Sequence, residues 1–173
     1  MNKLLIASVD EIKNIKLPLS VEEHILLYKN CNQAKESRIG YELLDQGLKD
    51  LGIDSYEIDF TSKPYIKNNN GIMFNISHDS NMAVCVISNK EIGVDVMKIR
   101  SIDEKIINRI LNKNELMPIT DYDKTILWCK KEAYIKYKGT SISSYMDKID
   151  TTKIKYETIE KNGYIIVVCY DTI

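Results

Sequence analysis

Three short segments of the 173-residue chain hold polar groups where a plain core would not want them. In Phe74-Asn75-Ile76-Ser77-His78-Asp79 a strand-like run ends in a polar turn. The hydroxyl of Ser77, the imidazole of His78 and free backbone N–H groups nearby would together cradle a phosphate. An ordinary turn with a capping Ser and an exposed His accounts for the same residues. In Ile92-Gly93-Val94-Asp95-Val96-Met97, strand alternation puts Ile92, Val94 and Val96 on one face and Gly93, Asp95 and Met97 on the other. A carboxylate in so apolar a strand is costly unless it is paired, hydrogen-bonded or bound to a metal. Capping of a following turn is the competing role for Asp95. The third segment, Trp128-Cys129-Lys130-Lys131-Glu132-Ala133-Tyr134-Ile135-Lys136-Tyr137-Lys138-Gly139, gathers Trp128, Glu132, Ile135 and Gly139 on one helical face, with Lys136 beside them. Glu132 and Lys136 are spaced i, i+4, which alone makes a surface pair worth ~0.2–0.5 kcal/mol. Glu132, however, shares the face of the only tryptophan, which should point inward, and that setting suggests a chemical task.

Elements must hold these groups in place. Apolar spacing predicts an opening strand over 4–9, a helix over 20–30 capped by Ser20, and a second helix over 33–51 stopped by Gly52. A strand at 55–60 precedes loops at 62–65 and 68–71. Strands at 72–77, 82–88 and 92–97, joined by short polar connections, fit an antiparallel meander. Helices follow at 101–112 and from 120 or 121 to Gly139. Strands at 153–160 and 164–170 close the chain as a hairpin turning at Asn162-Gly163. Strand, helices and strands thus occur twice, on either side of the 92–97 strand, as a likeness of element order only.

Composition sets aside whole classes. Lys+Arg number 24 against 25 Asp+Glu, so the marked basic excess of a bulk nucleic-acid binder is absent. With 44% hydrophobic and 28% charged residues the chain is an ordinary globular protein, not an acidic disordered one. Cys31, Cys85, Cys129 and Cys169 form no C-x-x-C pair, and His24 and His78 are too few for a standard zinc site. Reduced, buried thiols are expected. The apolar start is too short for a signal sequence and runs at once into Asp10 and Glu11. No run approaches the ~18 apolar residues of a membrane span. A cytoplasmic protein that binds neither nucleic acid nor membrane is expected.

Taken in order, FNISHD, GVDVMKIR and WCKKEAYIKYKG resemble the signatures of the 4'-phosphopantetheinyl transferases of the two-lobed, surfactin-synthetase-activating (Sfp-like) type. Ser62-Lys63-Pro64-Tyr65 resembles that family's G-K-P-Y adenine and phosphate loop, and the intervals Lys63 to His78 (15 positions) and His78 to Asp95 (17 positions) resemble the family's. Ser37-Arg38-Ile39-Gly40 and 164–169 resemble the helix before that loop and the closing strand. The resemblance implies an α+β fold of two pseudo-symmetric lobes, 1–92 and 93–173, each an antiparallel sheet with a packed long helix, and an active site in the cleft between them. It implies transfer of the 4'-phosphopantetheine arm of coenzyme A to a serine of an apo acyl or peptidyl carrier protein, with release of 3',5'-ADP. Such carriers serve fatty-acid, polyketide or non-ribosomal peptide synthesis. By the same resemblance Asp95 and Glu132 hold Mg²⁺, with Mn²⁺ as an alternative, and Glu132 takes the serine proton directly or through a metal-bound water. Lys136 contacts the diphosphate, His78 the 3'-phosphate, and Ser77, Lys63 and Pro64 complete the coenzyme A contacts, with Ser37 adding a hydroxyl. Lys63, Lys131 and Lys136 are expected near the cleft. A two-lobed chain supplies both sides of that cleft, so a monomer is expected.

One position departs from the pattern. Many family members carry Glu two residues after the Asp, where this chain has Met97. A thioether is a poor ligand for Mg²⁺, which leaves two carboxylates with water in the third place and a weaker metal site than Met97→Glu would have. Two rivals follow: a coenzyme A or carrier-protein binder that has lost catalysis, and a metal-independent interaction protein whose activities survive Asp95→Ala and Glu132→Ala.

Overall fold

The computed structural model describes residues 2–11, 13–67, 71–140 and 143–170. Positions 68–70 of the loop expected at 68–71 lie outside them. The chain opens with strand β1 (Asn2–Ser8), helix α1 (Leu19–Leu26) and the long helix α2 (Cys31–Lys49). Asn30 caps α2 by accepting from the N–H groups of Asn32 and Gln33. Ser20 does not cap α1. The helix starts one residue earlier, behind Pro18, whose ring fixes φ and whose carbonyl takes the N–H groups of Val21 and Glu22. Of the 55–60 run only Ile58 is buried, and just two residues, β2 (Ile58–Asp59), find a partner in β3 (Tyr65–Ile66).

Strands β4 (Met73–Asp79) and β5 (Met82–Ser88) form a hairpin, and β5 also pairs with β1, giving the order β1-β5-β4. β6 (Ile92–Lys98) corrects the predicted meander. Both edges of β5 are taken, so β6 leaves that sheet and becomes an edge strand of another. After it come α3 (Glu104–Ile110), α4 (Asp121–Lys138) and the hairpin β7 (Tyr156–Lys161) with β8 (Tyr164–Tyr170), in the order β6-β8-β7. The hairpin turns where Asn162 and Gly163 both have positive φ, 52° and 78°. Thr120 and Asp123 form a capping box at the start of α4, and Gly139 ends it at φ 65°.

The mixed helix and antiparallel sheet architecture is α+β. The two three-stranded sheets share one plan: a strand, a long helix, then a hairpin whose second strand lies antiparallel to the first strand. Alternation sorts the apolar runs into three cores. Cys85 and Ile87 of β5 face α2 with Leu44 and Leu48. Ile165, Val167 and Cys169 of β8 face α4 with Cys129 and Ala133. The opposite faces meet each other, Val84 and Val86 against Val94, Val96, Ile166 and Val168. Strands buried on both faces read as continuous apolar runs for this reason. Cys85, Cys129 and Cys169 are buried and free as expected, whereas Cys31 at the start of α2 is exposed. Among the described residues no helix is long and apolar enough to cross a membrane.

Candidate active site

β4 and β6 run side by side as the edge strands of the two sheets and are joined by side chains. The N–H of Val94 donates to Asn75 Oδ1 (2.9 Å), that of Val96 to Ser77 Oγ (3.3 Å), and that of Lys98 to Asp79 Oδ2 (2.8 Å). Ser77 therefore works across the seam. Its hydroxyl accepts from Val96 and from Lys136 Nζ (2.7 Å) and donates to Asp95 Oδ1 (2.8 Å). Lys136 Nζ also lies 2.7 Å from Asp95 Oδ1. The buried carboxylate of Asp95 is thus ion-paired and hydrogen-bonded, as its place in an apolar strand requires. The i, i+4 pair of Glu132 with Lys136 does not form; Lys136 reaches across to Asp95 instead.

Gly93 lets α4 come this close. A Cβ there would sit 2.1 Å from the carbonyl oxygen of Ala133 and 2.5 Å from the nitrogen of Tyr137, both α4 backbone atoms. Glu132, half-buried on the same stretch of α4, has its carboxyl raised above the usual range by burial first and then by the charge of Asp95, with Lys136 pulling the other way. The Cys129 thiol is likewise pushed up, by burial and then by Asp95. Trp128 is only half-buried against the core of the second sheet.

A cavity of about 590 Å³ opens beside these groups, lined by residues of both halves of the chain. Ser37 from α2, Lys63 and Pro64 from the loop before β3, His78 from β4 and Lys136 from α4 all face it. Ser77 and Asp95 lie behind that wall, both buried. His78 Nδ1 is 3.0 Å from Glu36 Oε2, and the other Glu36 oxygen accepts from the N–H of Asn81 (2.8 Å). Lys63 Nζ spans the two halves, bonding Glu91 Oε2 (2.7 Å) and the carbonyl oxygens of Ile92 and Tyr137 (3.2 Å each).

The structure corrects one basic residue and adds others. Lys131 does not approach the cavity. It is fully buried on the far side of α4, where Nζ bonds both oxygens of Glu115 (2.8 and 2.7 Å) and the carbonyl of Ile149. Its pKa is lowered by burial, against the pull of Glu115. Glu115 is desolvated too, but bonds from Lys131, Thr151 and Asn112 hold it below the usual carboxylate value. Reasoning from sequence also missed His24, which lines the cavity, stacks on Phe60 at 4.0 Å and is lowered in pKa by burial. Its i, i+4 spacing from Tyr28, another lining residue, was the available signal. Nothing in the sequence marked Glu36 as the partner of His78.

The donor set can be tested against Mg²⁺. Among the described residues no group of three or more His, Cys, Asp or Glu side chains is gathered closely enough for a metal. Asp95 with Glu132 is a pair of hard oxygen donors, and Lys136 Nζ already stands as a cation on Asp95. Mg²⁺ is commonly held by one or two carboxylates, with phosphate oxygens and water completing its shell, so two carboxylates linked through Lys136 to a cavity lined by lysine and histidine fit it.

Comparison with known proteins agrees with this arrangement. The family model described as 4'-phosphopantetheinyl transferase superfamily matches residues 91–168, which carry Asp95, Glu132 and Lys136. The chain is 28% identical to the 4'-phosphopantetheinyl transferase gsp of Aneurinibacillus migulanus, over 90% of this chain and 79% of that one. It is 30% identical to the 4'-phosphopantetheinyl transferase Sfp of Bacillus subtilis (strain 168), over 55% of this chain and 47% of that one. A further Bacillus subtilis 4'-phosphopantetheinyl transferase is 33% identical over 58% of this chain and 48% of its own length. The chain is thus similar to 4'-phosphopantetheinyl transferases over most of its length, and residues 91–168 match the model of their superfamily.

Proposed function

We propose that the chain moves the 4'-phosphopantetheine arm of coenzyme A onto a serine of an apo acyl or peptidyl carrier protein, releasing 3',5'-ADP. One observation carries this reading: a single cavity collects Lys63, His78 and Lys136 from three separate segments, and the last of these is bonded to a buried Asp95 with Glu132 in its field. Lobes 1–92 and 93–173, working as a cytoplasmic monomer, form the cleft.

His78, oriented by Glu36, takes the 3'-phosphate, with Ser37 as a hydroxyl contact, while Ser77 stays behind the wall as the partner of Asp95 and Lys136; Lys63 and Pro64 border the adenine and phosphate path. Asp95 and Glu132 would hold Mg²⁺, which when bound neutralises charge on the diphosphate and the leaving group. Lys136 stabilises the departing 3',5'-ADP. The serine Oγ forms a bond to the pantetheine-linked phosphorus as the bond from that phosphorus to 3',5'-ADP breaks, and Glu132 accepts the serine proton. A carboxylate raised above its ordinary value is a stronger base than an unperturbed one. Burial first, and then the charge of Asp95, keep it raised, with Lys136 pulling the other way.

Incubation with coenzyme A, Mg²⁺ and a panel of apo carriers tests the proposal. A carrier mass gain of one phosphopantetheine is expected, lost in Asp95→Ala and Glu132→Ala. Coenzyme A binding with no mass gain on any carrier would favour a catalytically impaired binding module. Met97 favours that second reading, since it is buried in the core beside α4 and offers no third carboxylate.

A further inference from the structure

We propose that Lys136 is a resident counter-cation that holds the metal position closed in the free protein and vacates it when a diphosphate enters. The inference rests on the two-carboxylate reading of the site. Its basis is the position of one ammonium. Lys136 Nζ is 2.7 Å from Asp95 Oδ1 and 2.7 Å from Ser77 Oγ, and the Asp95 side chain is only 9% exposed. The Ser77 hydroxyl is saturated, with one bond donated and two accepted, so it locks the ammonium where a divalent cation would have to approach.

A cation entering this site meets two carboxylates already partly neutralised, with a like charge at hydrogen-bond distance from one of them. Like charges in a poorly solvated site repel strongly, so the free protein binds the metal weakly. The stem of Lys136 also lines the cavity, and its side chain is 28% exposed. A swing toward a diphosphate there therefore costs no core packing. Asp95 then loses its counter-charge at the moment a second cation is needed. Metal and diphosphate are coupled beyond their direct coordination, and the coupling is reciprocal. Lys63 provides the contrast: it faces the same cavity, but its ammonium is spent on Glu91 and two backbone carbonyls rather than on Asp95.

Calorimetric titration of the full chain with Mn²⁺ alone is the test. Lys136→Met should bind Mn²⁺ more tightly than the wild type by about 5–150-fold, the usual range of a site-to-site coupling. Lys136→Gln, which keeps a hydrogen-bonding group without the charge, should do the same and serves if the Met variant fails to fold. Lys63→Met should leave the affinity for Mn²⁺ alone within about twofold of wild type, since Lys63 makes no bond to Asp95. Equal affinities in wild type and both Lys136 variants overturn the proposal, and so does an equal gain in Lys63→Met. Failure of the functional reading looks different: the wild type would not bind coenzyme A, or Asp95→Asn would bind Mn²⁺ as the wild type does.

Discussion

Gly93→Ala should damage activity far more than stability, and the reason lies in which atoms obstruct the new methyl group. The added Cβ would lie 2.1 Å from the Ala133 carbonyl oxygen, 2.5 Å from the Tyr137 nitrogen and 2.9 Å from the Tyr137 Cα. A Cβ makes ordinary contact only from 3.4 Å outward, so relief from 2.1 Å requires more than 1 Å of movement. None of the obstructing atoms is the end of a flexible side chain. All belong to the backbone of α4, so the helix must move away from β6 as a body. That turn carries Glu132 and Lys136, while Asp95 stays with the strand. Overpacking of this kind costs about 1–3 kcal/mol, whereas a 1 Å misplacement of catalytic groups costs about 100-fold in rate. The expected result is a folded protein with a lower melting temperature and a kcat reduced by about two orders of magnitude. Initial rates of carrier modification at saturating coenzyme A and Mg²⁺, measured beside thermal unfolding, provide the assay. Gly163→Ala is the control. It strains a positive φ in the β7–β8 turn but meets nothing within 4 Å, so it should lower stability and leave the rate alone. A Gly93→Ala enzyme within about threefold of wild-type kcat would refute the claim that this close approach sets the catalytic geometry.

Four more outcomes rest on other contacts. Lys131→Met strands the Glu115 carboxylate without its cation and should cost about 3–5 kcal/mol in urea unfolding, whereas Lys131→Met with Glu115→Leu should recover most of it; near-wild-type stability of the single variant would refute the buried pair. Because Glu115 is held below its ordinary value, its stabilising contribution is full above that value and is lost as pH falls through the lowered one, so the gap between wild type and Lys131→Met should narrow in acid. His78→Ala should erode the preference for coenzyme A over its 3'-dephospho form by about 10–100-fold in kcat/KM, the worth of a charge-assisted hydrogen bond; an unchanged preference places the 3'-phosphate elsewhere. Met97→Glu should tighten Mg²⁺ while lowering the melting temperature, since position 97 is packed with Ile102, Ile107 and Cys129; superimposable metal titrations would refute it.

The local signals were well written in the chain. Gly139 marked the end of α4 and Asn162-Gly163 the last hairpin, because each is short-range chemistry that adjacent residues decide. Asp95 announced itself by its cost in an apolar strand. Apart from the Ser20 cap and His24, the misses depend on partners distant in sequence. β6 looked like the third strand of a meander, since nothing within 92–97 records that β1 has already taken the free edge of β5. Lys131 and Lys136 lie on one helix and read alike, yet one is fixed by Glu115 and the other by Asp95, and only the packing of α4 separates them. Glu36 and Asn75 gave no sign because their partners, His78 and the Val94 amide, lie 42 and 19 positions away.

The seam between β4 and β6 explains why a buried carboxylate can sit on an edge strand at all. Edge strands present unpaired N–H groups that usually must be covered or blunted. Backbone pairing of β4 with β6 would have covered them, but at a strand spacing of about 4.8 Å. The two sheets would have fused, leaving no depth between them for the Lys136 ammonium and the Ser77 hydroxyl. Instead every second residue of β4, Asn75, Ser77 and Asp79, satisfies every second N–H of β6, those of Val94, Val96 and Lys98. A one-residue slip would turn these side chains to the opposite face and leave all three N–H groups unpaired, so the register is strongly held. Asp95 lies between two of the gripped amides, and Ser77 both grips the strand and bonds the carboxylate. The polar alternation of β4 is therefore one fastening device with three teeth. Its middle tooth bonds the buried carboxylate itself, and the outer two keep that tooth opposite Asp95.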